Sequence, residues 1–309
     1  MARRALIMGS GIGGLTGVAN DLEMTETWLA SHGFEVDRRC DDTASRDGML
    51  DGLQRLVRDS RIGDVAVIYY SGHGGYMYGN PDRTWSPTTA AVPNSYQYLV
   101  PTDHVARQRF RGIFRVELSS LLRELAEKTR NITVILDCCH STDMIREDEL
   151  CSKSIIEPWS AGLGEHLEWL RSEGYDLERL DELRNPFVVL LAACSVDESA
   201  YEYTRPRDHV RCGVFTDFLL DAVNGRPSLR DVTWEDLIHE VTERVERWKR
   251  TQRPEGSGPT WRRVFSEEER RNLGALRLTR REDRWCLSGG GAVGVEIGDR
   301  YRIVGGSGG

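Results

Sequence analysis

Two short polar clusters in this sequence combine side chains that could carry out nucleophilic chemistry. One is YYSGHGG at residues 69–75, and the other is LDCCHS at residues 136–141. Each follows a run of apolar residues that predicts a buried strand. Because ligands of an open α/β sheet bind at the carboxyl ends of its strands, we expect both clusters at one edge of the molecule.

Side-chain alternation along these strands indicates which residues face one another. Successive residues of a strand point to opposite faces, so Ser71 shares a face with His73. Asp137 likewise shares a face with Cys139, whereas Cys138 points the opposite way. A thiol beside an imidazole can lose its proton and attack a carbonyl, after which the imidazole protonates the leaving amine. The pattern therefore predicts a reactive pair of His73 and Cys139.

The residues around this pair suit a reaction at a carbonyl group. Glycines 72, 74 and 75 leave room for a substrate carbonyl. The backbone N–H groups of Gly74 and Cys139 are the expected donors to the oxyanion that would form there.

The same residues also have two simpler interpretations. A buried cysteine is often only a small hydrophobic residue, and a histidine in a glycine-rich turn is often only a turn residue. Their joint occurrence at two strand ends favours a chemical role. A metal site formed by Cys138, Cys139 and His140 is disfavoured, because adjacent residues do not easily converge on one tetrahedral ion.

Composition sets limits on the class of protein. The chain has 309 residues and a formal net charge of −8, and its basic residues form no long block, which argues against nucleic acid as a partner. No apolar run approaches the roughly 18 residues of a membrane helix, and no secretory signal is evident. The seven scattered cysteines predict neither a disulfide framework nor a zinc site. We therefore expect a cytoplasmic protein that binds neither nucleic acid nor membranes.

The remainder of the chain alternates apolar runs with segments of helical periodicity. This alternation predicts a three-layer α/β/α sandwich with a mostly parallel central sheet. Strands are predicted at residues 4–8, 34–40, 64–74, 132–139 and 187–195, and helices are predicted from Asn20, around 50–57 and 118–125, and near 214–224 and 233–250.

The domain organisation follows from a change in composition near residue 276. The stretch 276–309 has short strand-like runs and many glycines, and it ends in a linker-like tail. We predict one domain over residues 1–270. Residues 276–309 are interpreted as a small β appendage or as the truncated start of a second domain.

A glycine-rich loop follows the first predicted strand. Gly9, Gly11 and Gly14 have the G-x-G-x-x-G spacing of a dinucleotide-binding loop. In such a loop the helix N-terminus receives the pyrophosphate, but the helix is predicted to start only at Asn20. We therefore expect the loop to serve another purpose, and a nicotinamide-dependent enzyme remains a remote alternative. Asp21, at the far end of the loop, is the residue whose position this loop is expected to set.

Seven segments follow one another in order along the chain: GVANDLEMTETWLASHGFEV, VAVIYYSGHGG, YLVPTDH, VILDCCHS, VVLLAACSVDESAYE, CGVFTDFLLDAV and, more loosely, QRPEGSGPTWRRVF. Over about residues 3–270 they resemble the caspase-like cysteine proteases, and the metacaspase and bacterial caspase-like branch more than animal caspases. This resemblance implies a cysteine endopeptidase with the dyad His73 and Cys139, in which the third residue of D-x-C-H-S is the nucleophile. Cys138 departs from the usual pattern, and the animal-caspase motif Q-A-C-x-G is absent.

The resemblance also implies a substrate pocket. It assigns Asp21, Ser71 and Asp137 to the site that receives the residue before the cleaved bond. Two carboxylates there would attract Arg or Lys, so we expect protein or peptide substrates with a basic residue at the cleavage site. The simpler interpretations are that Asp21 caps a helix and that Asp137 orients a turn.

Regulation is predicted from the same resemblance. The segment 140–185 occupies the place of a processing linker, which makes Arg146 and Lys153 candidate self-cleavage sites. The chemistry requires no cofactor. Some members of this branch need calcium, but the nearby acids Asp103, Asp143, Glu147 and Asp148 match too loosely to assign ligands. A sensor or regulatory module is an expected partner.

Two other functions are compatible with these sequence features. The fold could serve as a catalytically silent adaptor, although the intact His73 and Cys139 argue against this. It could also belong to a related protease of the separase or legumain kind, with a different preference for the residue before the cleaved bond.

Overall fold

The computed structural model describes residues 1–77, 96–104, 110–139, 146–147, 150–156, 161–175, 185–195, 198–269, 278–281 and 284–287. In chain order the elements are β1 (Arg3–Ser10), α1 (Val18–Ser31), β2 (Glu35–Arg39), α2 (Arg46–Asp59), β3 (Val65–Gly72), β4 (Gly74–Met77), β5 (Tyr96–Leu99), β6 (Ile113–Phe114), α3 (Arg115–Lys128), β7 (Asn131–Asp137), β8 (Arg146–Glu147), β9 (Leu150–Ser152), β10 (Ser154–Ile156), α4 (Ala161–Ser172), β11 (Val188–Ala192), β12 (Tyr201–Thr204), β13 (Arg211–Gly213), α5 (Val214–Asn224), α6 (Trp234–Trp248), β14 (Glu255–Ser257), β15 (Leu278–Arg281) and β16 (Arg284–Leu287).

A six-stranded sheet in the order β14-β11-β7-β3-β1-β2 forms the centre of the fold. The strands are parallel except for β14, which runs antiparallel to β11. Every residue of β3 and β7 is buried, as expected for strands covered on both faces. The predicted fold class, an α/β sandwich with a mostly parallel sheet, is confirmed.

Two apolar cores lie on the opposite faces of this sheet. The first packs residues of α1, α5 and α6 against the sheet and includes Cys139. The second packs residues of α2 and α3 against the other face and includes Cys138. The two adjacent cysteines therefore point into different layers, as strand alternation predicts.

The start of α1 differs from the sequence prediction. The helix begins at Val18 rather than at Asn20, whose side chain instead donates a hydrogen bond of 2.7 Å to the Arg211 carbonyl. The amide groups of Thr16 and Gly17 donate to the carboxylate of Glu202 at 3.1 and 3.0 Å. Because a residue distant in sequence satisfies these amides, the capping pattern near Asn20 is not needed to begin the helix.

The chain divides into two compact units, Met1–Glu269 and Arg270–Gly309. In the second unit, β15 and β16 form an antiparallel pair. The interpretation of residues 276–309 as an appendage or a truncated domain stays a prediction. Among the helices described here, none has the length and apolar character required to cross a membrane.

Candidate active site

The two polar clusters meet at the carboxyl ends of neighbouring strands. β3 and β7 are paired so that Ser71 lies beside Asp137, the last residue of β7. Gly74 begins β4, immediately after His73, and Cys139 follows β7 closely. The sheet register therefore brings both clusters to one edge of the molecule.

The side chain of Lys153 occupies the space between the predicted pocket residues. Its Nζ lies 3.1 Å from Asp21 Oδ2 and 3.0 Å from Asp137 Oδ2, and it donates to Ser71 Oγ at 3.0 Å. Lys153, Asp21 and Asp137 have fully buried side chains. Burial alone would lower the pKa of Lys153, but the carboxylates of Asp137 and Asp21 raise it well above the usual value. The ammonium group is therefore held as a cation inside the molecule.

The backbone of Lys153 is held as firmly as its side chain. Its N–H donates to the Ala200 carbonyl at 2.9 Å. Its carbonyl oxygen accepts hydrogen bonds from the amides of Gly74 at 2.9 Å and Cys139 at 3.1 Å. These are the two amides expected to bind an oxyanion, and in this structure both donate to the same peptide carbonyl.

The residues before and after Lys153 are held by strand pairing. β9 pairs antiparallel with β12, placing Ser152 beside Tyr201. β10 pairs parallel with β4, placing Ser154 beside Gly74. Residues 150–156 thus cross the site as an extended segment, with Lys153 at its centre.

Further residues that the sequence did not single out support the pocket. The Gly213 amide donates to Asp21 Oδ1 at 2.7 Å, and Thr216 Oγ1 donates to Asp137 Oδ2 at 2.5 Å. A Cβ atom at Gly213 would lie 2.1 Å from Asp137 Oδ2, so only glycine fits there. Burial, opposed by the charge of Lys153, raises the pKa of Asp137. The segment CGVFTDF carried the family resemblance but no local signal for these contacts.

The thiol of Cys139 lies in a polar environment although it is buried. Its Sγ accepts from the Ala200 amide at 2.7 Å and contacts the Ala200 carbonyl at 3.1 Å and Ser152 Oγ at 3.8 Å. Burial alone would raise its pKa, but hydrogen bonds from Cys194, Ala200 and Ser152 outweigh this and lower it. Burial raises the pKa of Cys138 well above its usual value. Cys139 is therefore the more readily ionised of the two thiols.

The imidazole of His73 is buried at the same site. The backbone of Gly13, Ile12 and Lys153 lies next to the ring, and among the hydrogen bonds of the described residues none joins the ring to Cys139. Burial lowers the pKa of His73 to about 4, and the positive charge of Lys153 adds to the effect. The neutral ring is the form able to accept a proton from a thiol.

The glycine-rich loop contacts this imidazole. Gly13 has a φ of +65°, and a Cβ atom built on it would lie 2.6 Å from His73 Nε2. Gly14 has a φ of +93°, but a Cβ atom there would meet no atom within 4 Å. Because Gly13 has no side chain, its backbone lies closer to the His73 ring than the backbone of any other residue type could.

The depressed pKa of His73 makes the stability of the chain depend on pH. In the unfolded chain His73 becomes protonated below its ordinary pKa of 6.5. In the folded chain it stays neutral down to about pH 4. The free energy of unfolding must therefore fall over this interval, by up to about 3 kcal/mol from this group. We expect urea unfolding between pH 7 and pH 4 to show this loss in a Cys139→Ala chain, and a smaller loss when His73→Gln is added. Equal pH dependence in both chains would contradict the burial of a neutral ring.

The two candidate self-cleavage residues lie in different places. Lys153 occupies the site, whereas Arg146 lies in β8, whose pairing with β9 places it beside Cys151. The side chain of Arg146 lies outside the described part of the structure. Of the two candidates, Lys153 is therefore the one whose peptide carbonyl the site holds.

Of the four acids named in connection with calcium, only Asp103 has a described side chain. Asp103 accepts from the Arg46 amide at 2.8 Å and from Arg111 Nε at 2.7 Å. Asp143, Asp148 and the side chain of Glu147 lie outside the described residues, as does His140 of the disfavoured metal site. Among the described residues, no group of three or more His, Cys, Asp or Glu could hold a metal ion.

A thiol, an imidazole and a pocket with two carboxylates at the carboxyl edge of a parallel sheet define a site suited to a cysteine nucleophile. Residues 2–266 match the model of the caspase domain family, and the chain belongs to this family.

Relatives of the chain include metacaspases. Metacaspase-1 of Lodderomyces elongisporus is 35% identical over 161 residues, covering 46% of this chain and 34% of that protein. Metacaspase-7 of Arabidopsis thaliana is 24% identical over 218 residues, covering 65% of this chain and 49% of that protein. The chain thus spans between about a third and a half of these two relatives.

A solved structure supports the fold. The crystal structure of a protein from Geobacter sulfurreducens superposes with a TM-score of 0.59 at 17% identity, covering 83% of this chain and 93% of that chain. At this identity the likeness concerns the fold alone.

Proposed function

We propose that this chain is a cysteine endopeptidase that cleaves after Lys or Arg, with Cys139 as the nucleophile and His73 as the acid-base residue. Membership of the caspase domain family and the similarity to metacaspases support the reaction class. The single observation that carries the proposal is the position of Lys153. Its side chain lies between two buried carboxylates, while its carbonyl accepts hydrogen bonds from Gly74 and Cys139.

The proposed reaction proceeds in two steps. The Cys139 sulfur attacks the carbonyl carbon of the basic residue, and the thiol proton passes to His73. The amides of Gly74 and Cys139 stabilise the oxyanion. When the peptide C–N bond breaks, His73 gives its proton to the leaving amine. Water, deprotonated by His73, then hydrolyses the thioester and regenerates the thiol.

The preference for a basic residue follows from the charges in the pocket. Asp21 and Asp137 are both buried and hydrogen-bonded, so an apolar residue would leave two carboxylates without a cation. A substrate Asp would add a third negative charge. In this structure the ammonium group of Lys153 pairs with both carboxylates, and the planar guanidinium group of an Arg could pair with both in the same way.

We further propose that the first substrate of the chain is its own Lys153–Ser154 bond. The experiment is the intact mass of the purified chain after incubation. We expect wild type to give two fragments that end at Lys153 and begin at Ser154, and Cys139→Ala to keep a single full-length mass. Cys138→Ala is the matched control and is expected to cleave like wild type, because its thiol points into the other core.

Two results would contradict this mechanism. Undiminished cleavage in Cys139→Ala would remove Cys139 as the nucleophile, and loss of cleavage in Cys138→Ala alone would assign the role to the neighbouring thiol. A panel of fluorogenic peptides, run with and without calcium, tests the specificity separately. Cleavage after Asp as fast as cleavage after Arg would refute the basic preference.

A further inference from the structure

The residues that follow Lys153 also lie in a defined environment. β10 pairs with β4 so that Ile155 lies beside Gly75, and β4 pairs with β5 so that Gly75 lies beside Tyr98. Ile155, Gly75 and Tyr98 therefore form one row across the four-stranded sheet β10-β4-β5-β6. Residues in such a row present their side chains to the same face.

The absence of a side chain at Gly75 makes room for the ring of Tyr98. A Cβ atom built on Gly75 would lie 2.0 Å from Tyr98 Cζ. The ring thus covers the middle position of the row, next to Ile155. The second glycine of GHGG accordingly has a packing role that the sequence alone did not indicate.

An apolar cluster surrounds this ring. The Tyr98 ring lies 5.0 Å from that of Phe110 and 5.8 Å from that of Phe114, measured between centroids. Leu167 and Leu170 of α4 are buried in the same cluster, here called the Tyr98 cluster, which is completed by Val100. Ile155 is partly buried and packs against it. A side chain at this position therefore leaves water for aromatic and aliphatic surroundings.

Ile155 is the second residue after the Lys153–Ser154 bond. On the basis of the proposed function, we propose that the Tyr98 cluster is a specificity subsite that selects an aliphatic side chain at the second position after the cleaved bond. Burying an aliphatic side chain there adds binding free energy, whereas a carboxylate would lose its hydration in surroundings that are aromatic and aliphatic apart from the rings of His104 and His166. The subsite would act on other substrates as well as on the chain itself.

The test uses internally quenched peptides based on residues 150–157, LCSKSIIE, with Ser replacing the cysteine. The position of Ile155 is varied to Val, Ala and Asp while the Lys is kept. We expect kcat/KM for Val within about threefold of that for Ile, a loss of about 5- to 10-fold for Ala, and a loss of at least about 100-fold for Asp. Replacing the preceding Ser by Ala is the control and should change kcat/KM by less than about threefold.

The outcomes separate this inference from the proposed function. Equal kcat/KM for Ile and Asp would overturn the subsite and leave the endopeptidase intact. Failure to cleave any of these peptides, together with failure to cleave a Lys reporter that lacks residues after the bond, would overturn the proposed function itself.

A variant of the enzyme ties the preference to the Tyr98 cluster. Leu170→Ala enlarges the cluster, so we expect the ratio of kcat/KM for the Ile peptide over the Ala peptide to fall to about half of the wild-type ratio or less. A ratio does not depend on the amount of folded enzyme. An unchanged ratio would place the subsite elsewhere.

Discussion

Lys153→Glu will abolish cleavage after position 153, and Lys153→Arg will preserve it. Glutamate would place a third carboxylate against Asp21 and Asp137, in a pocket where both are fully buried. A buried charge without its partner costs about 3–5 kcal/mol, so we expect the rate of self-cleavage to fall by at least about 100-fold. Arginine keeps the positive charge, and its cleavage rate should stay within about tenfold of wild type.

The measurement is the time course of fragment formation, followed by intact mass. Circular dichroism of the Glu variant shows whether the chain remains folded, which we expect because the central sheet does not include residue 153. Fragments ending at position 153 at the wild-type rate in a folded Lys153→Glu chain would show that the carboxylate pocket does not select the cleavage site.

The second large effect is expected at the glycine-rich loop. In Gly13→Ala the new Cβ atom would lie 2.6 Å from His73 Nε2, so the buried imidazole must move. A displacement of about 1 Å in a catalytic group can lower a rate about 100-fold, and we expect a loss of this size in self-cleavage.

Gly14→Ala is the matched control for this substitution. Both glycines have a positive φ, so alanine at either position strains the backbone, but at Gly14 the added methyl group meets open space. Because an L-residue in the left-handed region costs about 1–2 kcal/mol, we expect Gly14→Ala to lose about this much stability and Gly13→Ala at least as much, but only Gly13→Ala to lose most of its activity. Similar cleavage rates in the two variants would contradict a role of the loop in positioning His73.

Much of the fold was predictable because its signals are local. The continuous apolar runs of β3 and β7 indicated buried strands, and the helical periodicity near residues 214–224 matches α5, Val214–Asn224. Alternation along a strand also separated Cys138 from Cys139 before any tertiary contact was known. The start of α1 was predicted incorrectly, since Glu202 satisfies the amides of Thr16 and Gly17 from a distant part of the chain.

The candidate site was only partly predictable. Residue types and spacing indicated His73, Cys139 and the two amides, and the family resemblance implied Asp21, Ser71 and Asp137. The roles of these residues stay predictions until the variants are measured. Gly213 and Thr216, which hold the two carboxylates, gave no signal in the sequence because their contacts are made only after α5 packs on the sheet.

By itself the sequence indicated five of the six strands of the central sheet and the helices packed on it, the face that each of these strand residues presents and the chemical types available at the strand ends, but it missed β14 and the short elements β8, β9, β10 and α4 within 140–185. Only the tertiary structure decided that Lys153 lies between Asp21 and Asp137 and that its carbonyl meets the amides of Gly74 and Cys139. The physical reason is the separation along the sequence over which each kind of signal acts. Alternation and periodicity act between neighbouring residues, whereas the bond from Lys153 to Asp21 spans 132 positions and forms only after the intervening strands have paired.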